Sequence, residues 1–321
     1  MRYGIIGAGQ AGVYHALAIL ESRRATVAWV ADPDSRRGKA LAAQCSAPHY
    51  ADYRQGLGDA EAVSICVPHA ALADAAVTAA RAGIHVLLEK PMALTLDDAD
   101  RVLAAVQQAG VTFMVGFVHR FRPEARRAFE LIRSGGIGEP RFVTDRSSGG
   151  GQAAWPRWVL DSHAGGGLLF YSGVHRIDRA RWLLGRDVVS VHGSIAALLP
   201  GSDVDSSYAV VLTFDGDARA VLSHHYHTVN APHSWETDVH GTEGMIRMHT
   251  GESIEVVTKG GSWREAAEPD RRFSEEIGAF LDAIGGTGPA APSGADGRAV
   301  LAAALAVVES HRTGEPVRLS G

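Results

Sequence analysis

Gly7-Ala8-Gly9-Gln10-Ala11-Gly12 is the first group of residues whose types and spacing can do chemistry. It follows a short apolar run, Tyr3 to Ile6, and opens an Ala-rich helical segment. A second apolar run, Thr26 to Ala31, then leads directly to Asp32. Strand, glycine turn, helix, strand and acid in that order can hold a dinucleotide. Gly7 supplies the tight turn, Gly9 lets backbone approach a pyrophosphate, and Gly12 lets the helix pack closely on the strand. Ala8, Gln10 and Ala11 lend the backbone N–H groups and partial positive charge of a helix start. Asp32 lies 20 residues past Gly12, where a carboxylate would grip the adenosine ribose hydroxyls. The alternative is a purely structural tight turn, and the surrounding order of elements favours the dinucleotide. An acid at this point favours NAD over NADP, because it repels a 2′-phosphate. Arg36 and Arg37 either lie in solvent on the next helix or swing towards a phosphate, which keeps NADP possible.

Two further groups stand at suggestive places. Glu89-Lys90-Pro91 ends the apolar run Ile84 to Leu88. A charged pair at the carboxyl end of a buried strand is either an ordinary ion pair or part of the ligand crevice formed there in open α/β sheets. His175 and Asp178 fall three residues apart on one face of a helical segment that follows Gly165-Gly166-Gly167. Imidazole titrates near neutrality and can accept or return a proton, although with 15 histidines in the chain the residue type alone singles out none. Asp178 either orients the imidazole or serves as a salt-bridge partner of the N-terminal domain.

The elements that must position these groups are legible from periodicity. Apolar runs fall at 3–6, 26–31, 62–67, 84–88 and 111–115, with helical patterns at 11–22, 36–44, 70–82 and 95–109 between them. Continuous apolar strands joined by helices indicate a parallel sheet covered on both faces. Beyond Gly116 the pattern changes. An amphipathic helix runs from 121 to about 134. Longer, alternating strands follow at 141–147, 188–198, 205–214, 218–227, 234–240, 244–249 and 253–258. A helix over about 165–184 interrupts them, and helices near 273–284 and 294–312 close the chain. The fold class is therefore α/β: an N-terminal Rossmann doubly wound parallel sheet, then a C-terminal α+β domain with a large, mainly antiparallel open sheet. The expected division is 1–119 for the dinucleotide-binding domain and 120–321 for a substrate-binding and oligomerisation domain. A catalytic cleft is expected between them, above the carboxyl ends of the parallel strands.

At this point the sequence resembles a known family. The glycine turn and Gly83-Ile84-His85-Val86-Leu87-Leu88-Glu89-Lys90-Pro91 look like the Gfo/Idh/MocA oxidoreductases. So do Val115-Gly116-Phe117 with Arg120, and Gly165-Gly166-Gly167 leading to Gly173-Val174-His175 and Asp178. Gly241-Thr242-Glu243-Gly244 and Gly314-Glu315-Pro316-Val317 extend the likeness over essentially the whole chain. The resemblance implies hydride transfer between NAD(P) and a hydroxyl-bearing carbon of a sugar, cyclitol or related polyol. It places Lys90 near the nicotinamide and the reacting oxygen, where a positive charge favours an alkoxide. It makes His175 the group that takes the hydroxyl proton. Glu89, Val67 and Pro68 would line the dinucleotide with Asp32 and Arg37, while Arg120, Trp155, Tyr171, His175 and Asp178 would face the substrate. The sequence departs from the family at Tyr171, where many members carry an aspartate four residues before the histidine. A phenol there either donates to a developing oxyanion or only fills space. Two other readings follow from the same scaffold: a reductase of an imine or unsaturated bond, and a non-catalytic dinucleotide-binding sensor or partner subunit.

The remaining features exclude more than they assign. Lys plus Arg number 31 against 36 for Asp plus Glu, a formal net charge of −5. No basic block invites nucleic acid or an anionic membrane, and no run of about 18 apolar residues suggests a transmembrane span. Cys45 and Cys66 make neither a disulfide framework nor a zinc site. The expectation is a cytoplasmic protein, a homodimer or homotetramer through its C-terminal sheet. Trp155-Pro156-Arg157-Trp158 either stacks on sugar rings or packs a core. In Ser223-His224-His225-Tyr226-His227, alternation puts His225 and His227 on one face and His224 and Tyr226 on the other. No third ligand has persuasive spacing, so no metal site is expected.

Overall fold

The computed structural model describes residues 1–150, 156–198, 204–227, 229 and 232–319, with the backbone alone at 150 and 227. In chain order the first elements are β1 (Arg2–Ile6), α1 (Gln10–Ser22), β2 (Thr26–Ala31), α2 (Ser35–Gln44), β3 (His49–Tyr50), β4 (Ala62–Ile65), α3 (His69–Arg81), β5 (His85–Glu89), α4 (Leu96–Ala109) and β6 (Phe113–Gly116). Next come α5 (Pro123–Arg133), β7 (Pro140–Gly150), a π-helical turn at Leu169–Gly173, α6 (Val174–Leu184), β8 (Val188–Ala196), β9 (Ser207–Phe214), β10 (Arg219–His227), β11 (Ser234–Gly241), β12 (Gly244–His249), β13 (Ser253–Thr258) and β14 (Gly261–Ala266). The chain closes with α7 (Arg272–Ile284), α8 (Gly294–Thr313) and β15 (Val317–Arg318).

The chain divides into two compact units. Met1–Val118 and Arg272–Arg298 make the first; His119–Arg271 and Ala299–Gly321 make the second. This differs from the expected split at 119/120, which kept everything beyond 120 together. The returning segment belongs to the first unit because α7 buries its apolar face there. Ile277 and Phe280 are fully buried, Phe280 meets Tyr3 of β1 edge-on at 6.3 Å, and Phe273 packs on Tyr14 of α1 at 4.8 Å.

In the first unit six parallel strands lie in the order β3-β2-β1-β4-β5-β6. β4 and β6 are buried at every position, as helices on both faces of a parallel sheet require. α4 starts on Thr95, whose side chain accepts the Asp98 N–H, and stops at Gly110 with φ 65°, a left-handed stop that suits glycine.

The second unit holds a nine-stranded sheet, β14-β13-β12-β11-β7-β10-β9-β8-β15. β10 runs parallel to β7, and the other neighbouring pairs are antiparallel. In β9 the alternation is strict: Tyr208, Val210, Leu212 and Phe214 point inward while Ala209 and Val211 are exposed. The helix expected from about 165 begins later. Gly166 and Gly167 take φ 74° and 88°, which holds the chain out of helical geometry until the π-helical turn starts at Leu169.

Candidate active site

The parallel register brings four chain exits of the first unit to one edge. Ile6 pairs with Ala31 and Ile65, Leu88 with Ile65, and Glu89 with Gly116. The glycine turn, Val67-Pro68, Lys90 and Phe117 therefore leave the sheet at the same end, beside the switch between β1 and β4 where open α/β sheets bind ligands.

The glycine turn has the shape a dinucleotide needs. Gly7 sits at φ 98°, and a Cβ there would lie 2.3 Å from the Cys66 carbonyl oxygen; at Gly12 a Cβ would lie 1.9 Å from the Gly7 oxygen. Neither position admits a side chain. At Gly9 a Cβ would meet nothing within 4 Å, and Gly9 caps α1 with no side-chain hydrogen bond. Open space before an uncapped helix start fits a pyrophosphate. Val67 flanks the turn, its Cγ1 at 3.3 Å from a Gly7 Cβ position, and Pro68 is the cap of α3. Gln10 is exposed and donates to Tyr14 Oη at 3.0 Å; Ala11 is half-buried.

Asp32 is buried and already employed. Its Oδ2 accepts the Ala8 N–H at 2.8 Å and its Oδ1 the Asp34 N–H at 2.8 Å, which closes the glycine turn onto the end of β2. Arg37 Nη2 donates to Oδ1 at 3.1 Å, from a side chain that remains 56% exposed. Arg36 lies in solvent and gives only its backbone N–H to Asp34.

Lys90 follows the last residue of β5 and is half-buried. Burial pushes its ammonium below the ordinary lysine value, and the Glu89 carboxylate pulls it back up. Glu89 is buried; its Oε2 accepts the Lys90 backbone N–H at 3.2 Å and its Oε1 meets His15 Nε2 at 3.2 Å. The Lys90–Pro91 bond is cis.

In the second unit His175 lies in the first turn of α6, 6% exposed. Its ring stacks on His119 with centroids 3.9 Å apart at 22°, and His119 in turn leans on Trp235 at 4.8 Å. Trp235 carries Arg176 and Arg179 on its ring at 4.4 and 4.2 Å. Asp145 is buried with this group. It accepts from Trp235 Nε1 and Thr237 Oγ1 and pairs with Arg176 Nε at 3.2 Å. The imidazole is thus held by a braced stack on its own helix.

Asp178 is gripped bidentately by Arg120, Nε to Oδ2 at 2.9 Å and Nη2 to Oδ1 at 2.6 Å. Asp178 is therefore in a salt bridge, but with Arg120 of its own unit rather than with the N-terminal domain, the partner expected from the sequence. Tyr171 stands in the π-helical turn, half-buried, its ring edge-on to Trp158 at 6.0 Å. Asp205 fixes that turn: its carbonyl and Oδ2 accept the Leu168 and Leu169 N–H groups at 3.1 and 2.9 Å. Trp155 lies outside the described residues, as does the His227 side chain. His224 points inward to Ser147 and Arg176, and Tyr226 leans on it at 5.5 Å, as alternation predicts.

The structure therefore gathers the cofactor-side candidates at one sheet edge and sets Tyr171, His175, Asp178 and Arg120 on or against α6 and its leading turn. Sequence reasoning missed His15, His119, Asp205, Trp235 and Glu276. Each acts across 30 residues or more, so no local spacing marks it.

The comparisons agree over the whole chain. A family model for oxidoreductases with an NAD-binding Rossmann fold matches residues 1–117, and the model of the GFO/IDH/MocA C-terminal domain matches 125–247. The chain is similar to inositol 2-dehydrogenase of Rhizobium meliloti, 31% identical over 97% of this chain and 96% of that one. It is 30% identical to an uncharacterized oxidoreductase of Bacillus subtilis, over 98% and 96%. Among solved structures, a putative myo-inositol dehydrogenase from Sinorhizobium meliloti superposes with a TM-score of 0.87 at 29% identity, over 100% of both chains.

Proposed function

The chain belongs to the Gfo/Idh/MocA family of oxidoreductases, and from that premise we propose how its own residues carry out the reaction. It is an NAD(P)-dependent dehydrogenase that moves a hydride between nicotinamide and a secondary alcohol or ketone of a sugar, cyclitol or related polyol. The observation that carries the residue assignment is the placement of Lys90 at the sheet edge shared with the Asp32-closed glycine turn. The backbone from Gly7 to Gly12 holds the pyrophosphate, Asp32 the ribose, and Val67, Pro68 and Glu89 flank it. When bound, the nicotinamide supplies the carbon that accepts or gives the hydride.

Lys90 sets a cation beside the substrate oxygen and stabilises charge as the hydroxyl loses its proton. His175 takes that proton, or returns it in reduction, its plane fixed by the His119 stack. Tyr171 offers a phenolic donor to the same oxygen. Arg120 and Asp178 neutralise each other and brace α6, and Trp155 is assigned to the substrate side by resemblance alone.

Replacing Lys90 with Ala should abolish turnover while NAD affinity, read by fluorescence titration, stays within about threefold. A Lys90→Ala enzyme that still turns over would overturn the mechanism. Substrate class is tested by initial rates with NAD and NADP on inositols, hexoses, uronic acids and amino sugars; inertness towards all of them counts against the polyol reading.

The same reading makes the protein a cytoplasmic homo-oligomer that uses the outer face of its nine-stranded sheet. Two observations support it. Val211 and Val221 face each other on neighbouring strands and are 42% and 38% exposed, and the chain has only two cysteines. No helix among the described residues is long and apolar enough to cross a membrane.

A further inference from the structure

A buried polar chain lies behind Lys90. It starts at Tyr3 on β1, fully buried, whose phenol is 2.9 Å from Ser64 Oγ on β4. Ser64 Oγ is 2.9 Å from His15 Nδ1 on α1, and His15 Nε2 is 3.2 Å from Glu89 Oε1. Burial pushes the Tyr3 hydroxyl far above its ordinary pKa, so it keeps its proton. Tyr3, Ser64, His15 and Glu89 are thus joined end to end by buried hydrogen bonds, the last of which a carboxylate can only accept.

Glu276, from α7, completes the cluster. It is fully buried, its Oε2 is 3.7 Å from the same His15 Nε2, and neither of its oxygens has a hydrogen-bond partner among the described residues. A buried carboxylate without hydrogen bonds is strongly disfavoured. Burial first and the Glu89 charge second push Glu276 well above the carboxylate range, with Arg272 opposing. The Cys66 thiol, also beside this cluster, is pushed up by burial and by both glutamates. The groups facing the cluster are thus Tyr3, His15, Ser64, Cys66, Glu89, Lys90, Arg272 and Glu276.

We propose that His15 is a positioning residue for the dehydrogenase reaction. It delivers a hydrogen bond that fixes the Glu89 carboxylate against Lys90, while Glu276, buried without a hydrogen-bond partner among the described residues, lies near the same imidazole nitrogen. The functional significance rests on the role given to Lys90 above; the charge arrangement does not. A carboxylate held near an ammonium favours its charged form, and the Glu89 carboxylate, fixed against the Lys90 backbone N–H, acts on the Lys90 ammonium in that sense. Without His15, the Glu89 charge loses its donor and Lys90 becomes more acidic.

The test reads Lys90 directly. The chain has only three lysines, Lys39, Lys90 and Lys259, so ε-carbon NMR of the full-length protein gives a countable set, with Lys90 assigned through Lys90→Arg. His15→Leu should make Lys90 about tenfold more acidic, one pH unit down. His15→Gln, which keeps an N–H donor, should restore most of the shift. Glu89→Gln should give the same shift as His15→Leu, and the double variant no more than either. An unmoved Lys90 in His15→Leu, or additive shifts, overturns the proposal. If His15→Leu does not fold, infrared spectra decide: Glu276→Gln should reduce the protonated carboxyl absorption of the native protein at neutral pH, to which Asp205 also contributes, and no reduction overturns the proposal. Neither readout needs turnover. A Lys90→Ala enzyme that stays active would thus remove the catalytic assignment, and with it the significance of His15 for the reaction, while the coupling of His15 to Lys90 would still be decided by these readouts.

Discussion

Asp32 shows how one side chain serves two purposes. Its position was legible from spacing, because the acid ends the second strand of a strand–glycine–helix–strand unit. Its bond to the Ala8 N–H was not, since that contact depends on how the turn folds back over β2. The Arg37 guanidinium, whose behaviour the sequence left open, is paired with that same carboxylate. Asp32→Ser should therefore release a cation into the place where a 2′-phosphate would sit. The expected result is a rise of at least about tenfold in the NADP-to-NAD ratio of kcat/KM, reversed by adding Arg37→Ala. Denaturant unfolding should show a loss of about 1–2 kcal/mol, because two backbone N–H groups lose a charged acceptor. An unchanged cofactor ratio would show that Arg37 does not reach the phosphate site. His119 is the opposite case. It stacks on His175 across 56 positions of chain, and nothing in the local sequence distinguishes it from the other histidines.

Among the elements, the π-helical turn before α6 carries Tyr171 and leads into His175, the residues proposed to handle the proton. Its Leu168 and Leu169 N–H groups are held by Asp205, which burial raises from 3.8 to about 7. An acid whose pKa is raised on folding binds more protons in the native state. Its stabilisation is full below the unfolded value and is lost as pH climbs towards 7. Tm should thus fall between about pH 4 and 7, and Asp205→Asn, which keeps the acceptor oxygen without the charge, should flatten that decline; thermal scans across the range check it. A decline of equal slope in Asp205→Asn would assign the effect elsewhere.

Most helices and strands were readable because their faces are buried at the expected periods. β14 was not, for all six of its residues are exposed and carry no apolar alternation. β3 and β15 have two residues each, too short for any period. The parallel pairing of β10 with β7 was equally hidden, since strand direction is set by the route of the intervening chain.

For the molecule as a whole, the open face of the nine-stranded sheet is the surface assigned to assembly. A charge at its exposed valine pair should prevent the proposed assembly: Val211→Lys is expected to lower the sedimenting mass to that of one chain, with secondary structure intact by circular dichroism. If the mass stays the same, assembly uses another surface. The strand pattern changes near the point where the second unit starts, at His119. The return of Arg272–Arg298 to the first unit could not be read from the sequence, because an amphipathic helix does not declare which sheet it will cover.

That return has a consequence for how the protein is made. The sheet that carries the glycine turn and Lys90 is synthesised first, yet Tyr3 and His15 lack their covering helix until α7 leaves the ribosome. At roughly 5–20 residues per second this leaves apolar surface bare for about ten to thirty seconds. The nascent chain passes through that interval with its first unit unfinished, which is when a chaperone would have something to hold.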